Sequence, residues 1–248
     1  MKNEFDNKAK EYAMGRPTYP KEILNKLKEL GIEKQSIIAD IGAGTGIFTN
    51  MLGQLGCRVL AVEPNVDMLN ECREYCSNNT NIKYINATAE NTELKEHSVD
   101  IITIAQVFHW IDKQLSKAEF KRILKKSGYV VTLWNDRQVD SEFQKEYLNI
   151  VNKHAIKTTA GNSYFNPDKE KFDFFGQDYS KVYFDNWQSA TEEQVICNAL
   201  SISFTPSKLD SHYDKFVQDL HNLFVKFKEN EKVMFHYKTE LCICQFLK

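Results

Sequence analysis

The sequence predicts an α/β chain built on a doubly wound parallel sheet, and three observations carry that prediction. Short apolar runs alternate with helical patterns through position 135, the rhythm of strand–helix–strand units. The first run ends in a glycine turn, Asp40-Ile41-Gly42-Ala43-Gly44-Thr45-Gly46, which leads straight into a helical pattern. Asp40, Glu63, Glu90 and His109 all fall at or just after the ends of successive runs. Open sheets of this kind hold ligands beyond the carboxyl ends of their strands.

Taken in order, the chain begins Met1-Lys2-Asn3-Glu4-Phe5-Asp6, charged rather than apolar, so no signal peptide is expected. Tyr12-Ala13-Met14-Gly15-Arg16-Pro17-Thr18-Tyr19-Pro20 leads into an amphipathic helix carrying Ile23, Leu24, Leu27 and Leu30. Ile37-Ile38-Ala39 is the first strand, and Ile47 to Leu52 the helix after the glycine turn. Glycine loses the most entropy on folding, so three at alternate positions imply backbone lying close against something. A glycine turn with no ligand is the alternative. The dinucleotide fingerprint G-x-G-x-x-G needs glycine at position 47, which is Ile, and no Lys follows at the spacing of a phosphate loop.

Val59 to Val62 is the second strand, and Glu63 ends it 21 positions after Gly42. An ionised carboxylate there accepts both hydroxyls of a ribose, which supports nucleoside binding without choosing between cofactors. Pro64 and Asn65 open a helix running through Met68 and Leu69. The third strand is Ile82 to Ile85, followed by Ala87-Thr88-Ala89-Glu90-Asn91. Val99 to Gln106 is a mostly apolar run, as in a strand buried on both faces. Its exit, Gln106-Val107-Phe108-His109-Trp110, precedes a helical pattern from Ile111 to Leu124. A basic turn, Lys125-Lys126-Ser127, then enters the fifth strand, Gly128 to Asn135.

Beyond Asn135 the alternation changes. Phe143, Tyr147, Ile150 and Val151 mark a helix, and Tyr164-Phe165 with Phe172, Phe174 and Phe175 an aromatic segment. Lys181 to Phe184 reads as a strand, 191–200 and 209–227 as helices, and 233–246 as a long final strand. The net charge of −2 gives no pull toward nucleic acid or anionic membrane. No apolar stretch approaches the ~20 residues that cross a bilayer. Six scattered cysteines at no zinc-binding spacing read as reduced thiols in a cytoplasmic protein without a metal.

The motif D-x-G-x-G-x-G, with Glu63, Ala89-Glu90 and the 99–106 strand, resembles class I S-adenosylmethionine (SAM)-dependent methyltransferases, closely over about 36–135 and loosely elsewhere. An A-x-x-Y-x-x-x-R-P-x-Y-P pattern at 9–20, with Phe108-His109-Trp110, narrows the likeness. It points to the small-molecule branch (methyltransferase type 11-like) that includes trans-aconitate methyltransferase-like and ubiquinone/menaquinone-biosynthesis-like members. The basic turn departs from the family's usual Lys-Pro-Gly-Gly.

That resemblance implies a Rossmann-like seven-stranded sheet with its last strand antiparallel, plus helical lid insertions over the pocket mouth at 136–178 and 195–230. It divides the chain into a cofactor-covering segment (1–35), a SAM-binding core (36–135), and lid helices with C-terminal strands (136–248) completing the same domain. The implied cofactor set is Asp40, Gly42, Ala43, Gly44, Gly46, Glu63, Pro64, Met68, Ala89, Glu90 and Gln106. Tyr12 and Arg16 would hold the methionyl carboxylate, unless Pro17 and Pro20 merely set an extended entry and Arg16 is solvated.

The implied reaction is in-line methyl transfer to a small molecule by a monomer or homodimer, with no nucleic-acid partner. His109 is the candidate base, and its alternative is to wall the pocket. Two other classes stay open: a SAM-binding regulator without turnover, and an NAD-dependent oxidoreductase. Ile47 and the lack of a Tyr-x-x-x-Lys pair speak against the latter.

Overall fold

A computed structural model describes residues 9–156, 167–176 and 179–245, with the side chains of all but 9, 10 and 167. The N-terminal Met1–Asp6 and the Tyr164-Phe165 segment lie outside the described residues. In chain order the elements are α1 (Ala9–Gly15), α2 (Glu22–Glu29), β1 (Ile37–Ile41), α3 (Ile47–Gly53), β2 (Arg58–Val62), α4 (Val66–Tyr75), β3 (Ile82–Ile85) and β4 (Val99–Ala105). There follow α5 (Lys113–Ile123), β5 (Leu124–Arg137), α6 (Glu142–Lys153), α7 (Pro167–Phe175), β6 (Ser180–Ala190), α8 (Glu192–Leu200), α9 (Tyr213–Phe227) and β7 (Val233–Gln245).

The seven strands form one sheet in the order β3-β2-β1-β4-β5-β7-β6. β1 to β5 pair in parallel, and β7 runs antiparallel to both β5 and β6. The chain reverses its winding between β1 and β4, the switch point at which doubly wound sheets open a crevice.

Alternation along the strands sends side chains to two cores. Ala39, Ile41, Ile102 and Ile104 pack under α5 with Phe120, Ile123, Phe174 and Phe175. Ile38, Ile101, Val131 and Leu133 pack on the other face with Ile23, Leu27 and Leu52. Four of the helices begin at capping side chains. Asn65 opens α4, Asp112 α5 and Ser141 α6, each accepting from backbone N–H groups, and Thr191 with Gln194 forms a capping box on α8.

The structure adds to or departs from expectation at three points. The segment before Arg16, for which no element was expected, is the helix α1, and residues 17–20 after it are neither helix nor strand. The basic turn at Lys125–Ser127 is absorbed into β5. Val99 pairs with Leu124 and Ile101 with Tyr129, so the extra residues bulge, and Lys125 Nζ lies 2.8 Å from both carboxylate oxygens of Asp100. α6 is not a lid. Its Phe143, Tyr147 and Val151 join Phe216, Leu220, Leu223, Phe224 and Phe235 in a third core between α6, α8, α9 and the end of β7. An apolar helix face this wide must be buried against a partner, and α9 supplies one.

Candidate active site

The glycine loop is pinned from below. The N–H groups of Gly42 and Ala43 donate to the carbonyl of Val62 at 2.8 and 3.1 Å, fixing the loop over the end of β2. All three loop glycines have left-handed φ, but for different neighbours. A Cβ on Gly42 would stand 2.5 Å from Val107 Cγ2, and one on Gly46 2.7 Å from Cys72 Sγ. A Cβ on Gly44 would meet nothing nearer than the Gly42 carbonyl oxygen at 4.0 Å, and Gly44 lines the cavity. Two glycines therefore serve packing, and one leaves bare backbone facing open space.

Glu63 is locked into this loop. Its Oε2 accepts from the Gly44 N–H at 3.0 Å and its Oε1 from the Asn65 N–H at 2.9 Å. Each carboxylate oxygen keeps a further lone pair, so the group still has room to accept two hydroxyls. Burial raises its pKa, and the two amide donors oppose that rise.

Asp40, at 1 % exposure, sits deeper. Thr49 of α3 and Thr103 of β4 donate to its two oxygens at 2.6 and 2.7 Å. Burial pushes its carboxyl up to about 6, against the pull of those two hydroxyls, and the nearby Glu63 adds to the rise. Asp40 thus ties β1, β4 and α3 together beneath the loop.

At the exit of β4, Gln106 adopts a left-handed φ of 64° while its N–H donates to the Leu133 carbonyl at 3.0 Å. That strained residue swings Val107 against Gly42 and turns the chain toward His109. Glu90 Oε1 accepts from the Asp112 N–H at 2.9 Å, joining the loop after β3 to the start of α5. His109 stands edge-on to Trp134, with ring centroids 5.2 Å apart. More than a third of its surface is open, and it lines the cavity. Burial by the surrounding walls, with the charges of Lys113 and Arg16, pulls its pKa down to about 4, so the imidazole is neutral at pH 7.

The N-terminal segment closes one side. α1 lies on α8 so tightly that a Cβ on Gly15 would fall 2.3 Å from the Asn198 nitrogen, and Asn198 Nδ2 donates to the Gly15 carbonyl. The following Arg16 stacks over Tyr12 at 4.6 Å and donates from Nη2 to the Ser201 carbonyl at 3.0 Å. Arg137, at the end of β5, donates to Asn198 Oδ1 at 2.6 Å and lies over the rings of Tyr147, Phe235 and Tyr237.

These groups surround one cavity of about 640 Å³. Every residue expected at the site lines it except Gly46, whose surroundings are α4. Reasoning from sequence did not single out Trp134, Asn135, Arg137, Asn198, Phe204 and Tyr237, which also line it. Trp134 and Asn135 were legible as the exit of a fifth parallel strand. The others reach the cavity only through long-range packing, with no spacing to mark them. Of the regions expected as lid, 195–230 reaches the cavity through Asn198 and Ile202–Phe204. Between 136 and 178 only Arg137 does so among the described residues.

The lining suits a nucleoside cofactor on independent grounds. It offers bare backbone at Gly44 and a carboxylate with spare lone pairs at Glu63. Two cavity-lining residues, Arg16 and Thr45, also bury a side-chain polar atom with no partner. Buried polar atoms left unpaired are uncommon and call for an explanation.

Comparison with known proteins agrees. Residues 39–132 match the family model described as "Methyltransferase domain". An uncharacterized methyltransferase of Mycobacterium bovis is 31% identical over 153 residues, covering 62% of this chain and 60% of that protein. The chain thus matches less than two thirds of that relative's length. A Campylobacter jejuni ubiquinone/menaquinone biosynthesis C-methyltransferase is 28% identical over 121 residues, covering 46% and 50%. The solved YcgJ protein of Bacillus subtilis shares the fold with a TM-score of 0.55 at 17% identity, covering 90% of this chain and 96% of that one. The strand order, the match over residues 39–132 and these relatives together make the chain similar to the class I S-adenosylmethionine-dependent methyltransferases.

Proposed function

We propose that the protein transfers the methyl group of SAM to a small-molecule acceptor inside the cavity. The observation that carries this reading is the single cavity itself. It is lined by the Gly44–Glu63 backbone cradle and also by His109, Trp110, Trp134, Arg137 and Phe204. Its volume of about 640 Å³ lies in the range of small-molecule sites, ~300–1,000 Å³. Bound SAM supplies an activated methyl group on a sulfonium, so the protein's work is alignment and exclusion of water, worth up to ~7–11 kcal/mol in favourable cases.

In this reading Glu63 receives the ribose hydroxyls, and the Gly44 backbone lies against the cofactor. Ala43, Pro64, Met68, Ala89, Glu90 and Gln106 complete the adenosyl half. Tyr12 and Arg16 hold the methionyl carboxylate from α1 and the segment after it. Residues 1–35 then act as cover, 36–135 as core and 136–248 as the part that completes the sheet and the acceptor wall. His109, neutral at pH 7, has a lone pair to accept a proton, but a pKa near 4 makes it a weak base. Walling the acceptor is the role its surroundings favour. The net charge of −2 disfavours a nucleic-acid acceptor, and among the described residues no helix is long and apolar enough to cross a membrane. All six cysteines are free thiols, which fits a reducing, cytoplasmic setting.

Titration calorimetry with SAM, S-adenosylhomocysteine and NADH tests the cofactor, and incubation with methyl-labelled SAM and cell extract tests the transfer. Binding of the first two, with label passing to small molecules, is expected. Binding of NADH alone overturns the reading. Cofactor binding with no labelled product moves the protein to a SAM-binding regulator, and labelled macromolecule moves the acceptor class.

A further inference from the structure

Charge is divided across the cavity. Asp40, Glu63 and Glu90 stand beyond β1, β2 and β3, whereas Arg16 and Arg137 stand on the side of α8 and the end of β5. No carboxylate forms an ion pair with either arginine among the described residues. Arg137 is held by the neutral Asn198 Oδ1 and by three aromatic faces at 4.5, 4.8 and 5.2 Å. Its Nη1 is shielded from water and has no hydrogen-bond partner. Asp136, its neighbour in sequence, is exposed on the opposite face of β5.

Arg137 is half-buried, so its guanidinium loses part of its hydration with no counter-charge in return, and aromatic faces recover only part of that loss. A carboxylate arriving from the cavity would recover the rest, because its two oxygens match the planar fork of arginine. The cavity is also lined by the aromatic rings of Trp110, Trp134, Phe204 and Tyr237, with Asn135, Asn198 and Ser203 as polar members. Resting on the methyl-transfer reading above, we infer that the methyl acceptor is an organic carboxylate with an apolar or aromatic body, and that Arg137 is its ion-pair partner.

The chain contains three tryptophans, two of which, Trp110 and Trp134, line the cavity, so intrinsic fluorescence reports binding. Benzoate serves as the probe and benzamide as its uncharged counterpart, each titrated with and without saturating S-adenosylhomocysteine. Wild-type protein is expected to give a saturable response to benzoate and at least a tenfold weaker one to benzamide. Arg137→Met should weaken benzoate at least tenfold while leaving S-adenosylhomocysteine affinity within twofold, and Arg137→Lys should recover part of the benzoate response. Calorimetric binding of S-adenosylhomocysteine by Arg137→Met also reports that the variant is folded.

Equal response to benzoate and benzamide, or none to either, overturns the inference. So does inorganic phosphate competing as well as benzoate, which would make the site a general anion site. Exclusion of benzoate by S-adenosylhomocysteine, or loss of its affinity in Arg137→Met, would give Arg137 to the cofactor and also overturn it. Should S-adenosylhomocysteine fail to bind wild-type protein, the methyl-transfer reading falls, while the cofactor-free titration still decides whether Arg137 selects a carboxylate.

Discussion

Asp40 carries two loads that pull in opposite directions. Its oxygens join Thr49 and Thr103, cross-linking α3, β1 and β4 under the loop, yet its carboxyl is buried and its pKa stands at about 6 rather than 3.8. Below about pH 4 the group is neutral in both folded and unfolded chains. Between about 4 and 6 the folded chain keeps a proton that the unfolded chain has lost, so stability falls as pH rises through that window. Above about 6 the full penalty applies, on the order of 3 kcal/mol for a shift of this size. Asp40→Asn removes the charge and keeps one acceptor oxygen. Urea unfolding of the ligand-free protein is expected to show the variant about 1–2 kcal/mol more stable at pH 7.5, with the difference gone near pH 4. A variant equally destabilised at both pH values would show that the threonine bonds, not the buried charge, dominate at this position.

The loop between β1 and α3 is where element and ligand compete for the same glycines. Gly46 caps α3 at φ +89° with Cys72 and Cys76 of α4 packed against it, so Gly46→Ala meets both a clash and left-handed strain. Gly44→Ala meets only the strain, at φ +56°. Unfolding experiments should find Gly46→Ala destabilised by about 2–4 kcal/mol and Gly44→Ala by about 1–2 kcal/mol. Calorimetry should find the reverse order for the ligand, with Gly44→Ala losing at least tenfold in S-adenosylhomocysteine affinity. Wild-type affinity in Gly44→Ala would mean that the ligand does not lie against this backbone. The spacing of the three glycines was plain in the sequence, but their division of labour was not. Cys72 and Cys76 sit 26 and 30 positions after Gly46, and nothing local announces that a neighbouring helix presses there. The parallel half of the sheet was legible for the opposite reason, since buried strands such as Ile101–Ala105 are apolar but for Thr103. α1 was missed because its partner, α8, lies more than 180 positions away and buries it through Gly15, a residue that disfavours helix in isolation.

At the scale of the whole molecule, β7 decides whether the cavity's two halves are one folding unit. The strand pairs with β5 from Tyr129 to Arg137 and with β6 from Ser180 to Ala190. Its Cys244, Leu241 and Phe235 belong to three different cores. The third core, built from α6, α8 and α9, looks from sequence like lid helices, because amphipathic faces do not say what they cover. In the structure it holds Arg137 and Asn198 in place through Tyr147 and Tyr237, and so supports from behind the part of the cavity wall proposed for the acceptor. A strand shared by all the cores transmits loss of one to the others. Phe216→Ala, deep in the third core and far in sequence from the glycine loop, should therefore cost about 3–5 kcal/mol. It should do so in a single transition, with far-ultraviolet circular dichroism and the fluorescence of Trp110 and Trp134 melting together. Separate transitions, with the cofactor half still binding S-adenosylhomocysteine after the third core has melted, would show that β7 does not couple them. Coincident transitions would mean that a substitution in the acceptor wall's support is felt at the glycine loop through stability alone, without contact between them.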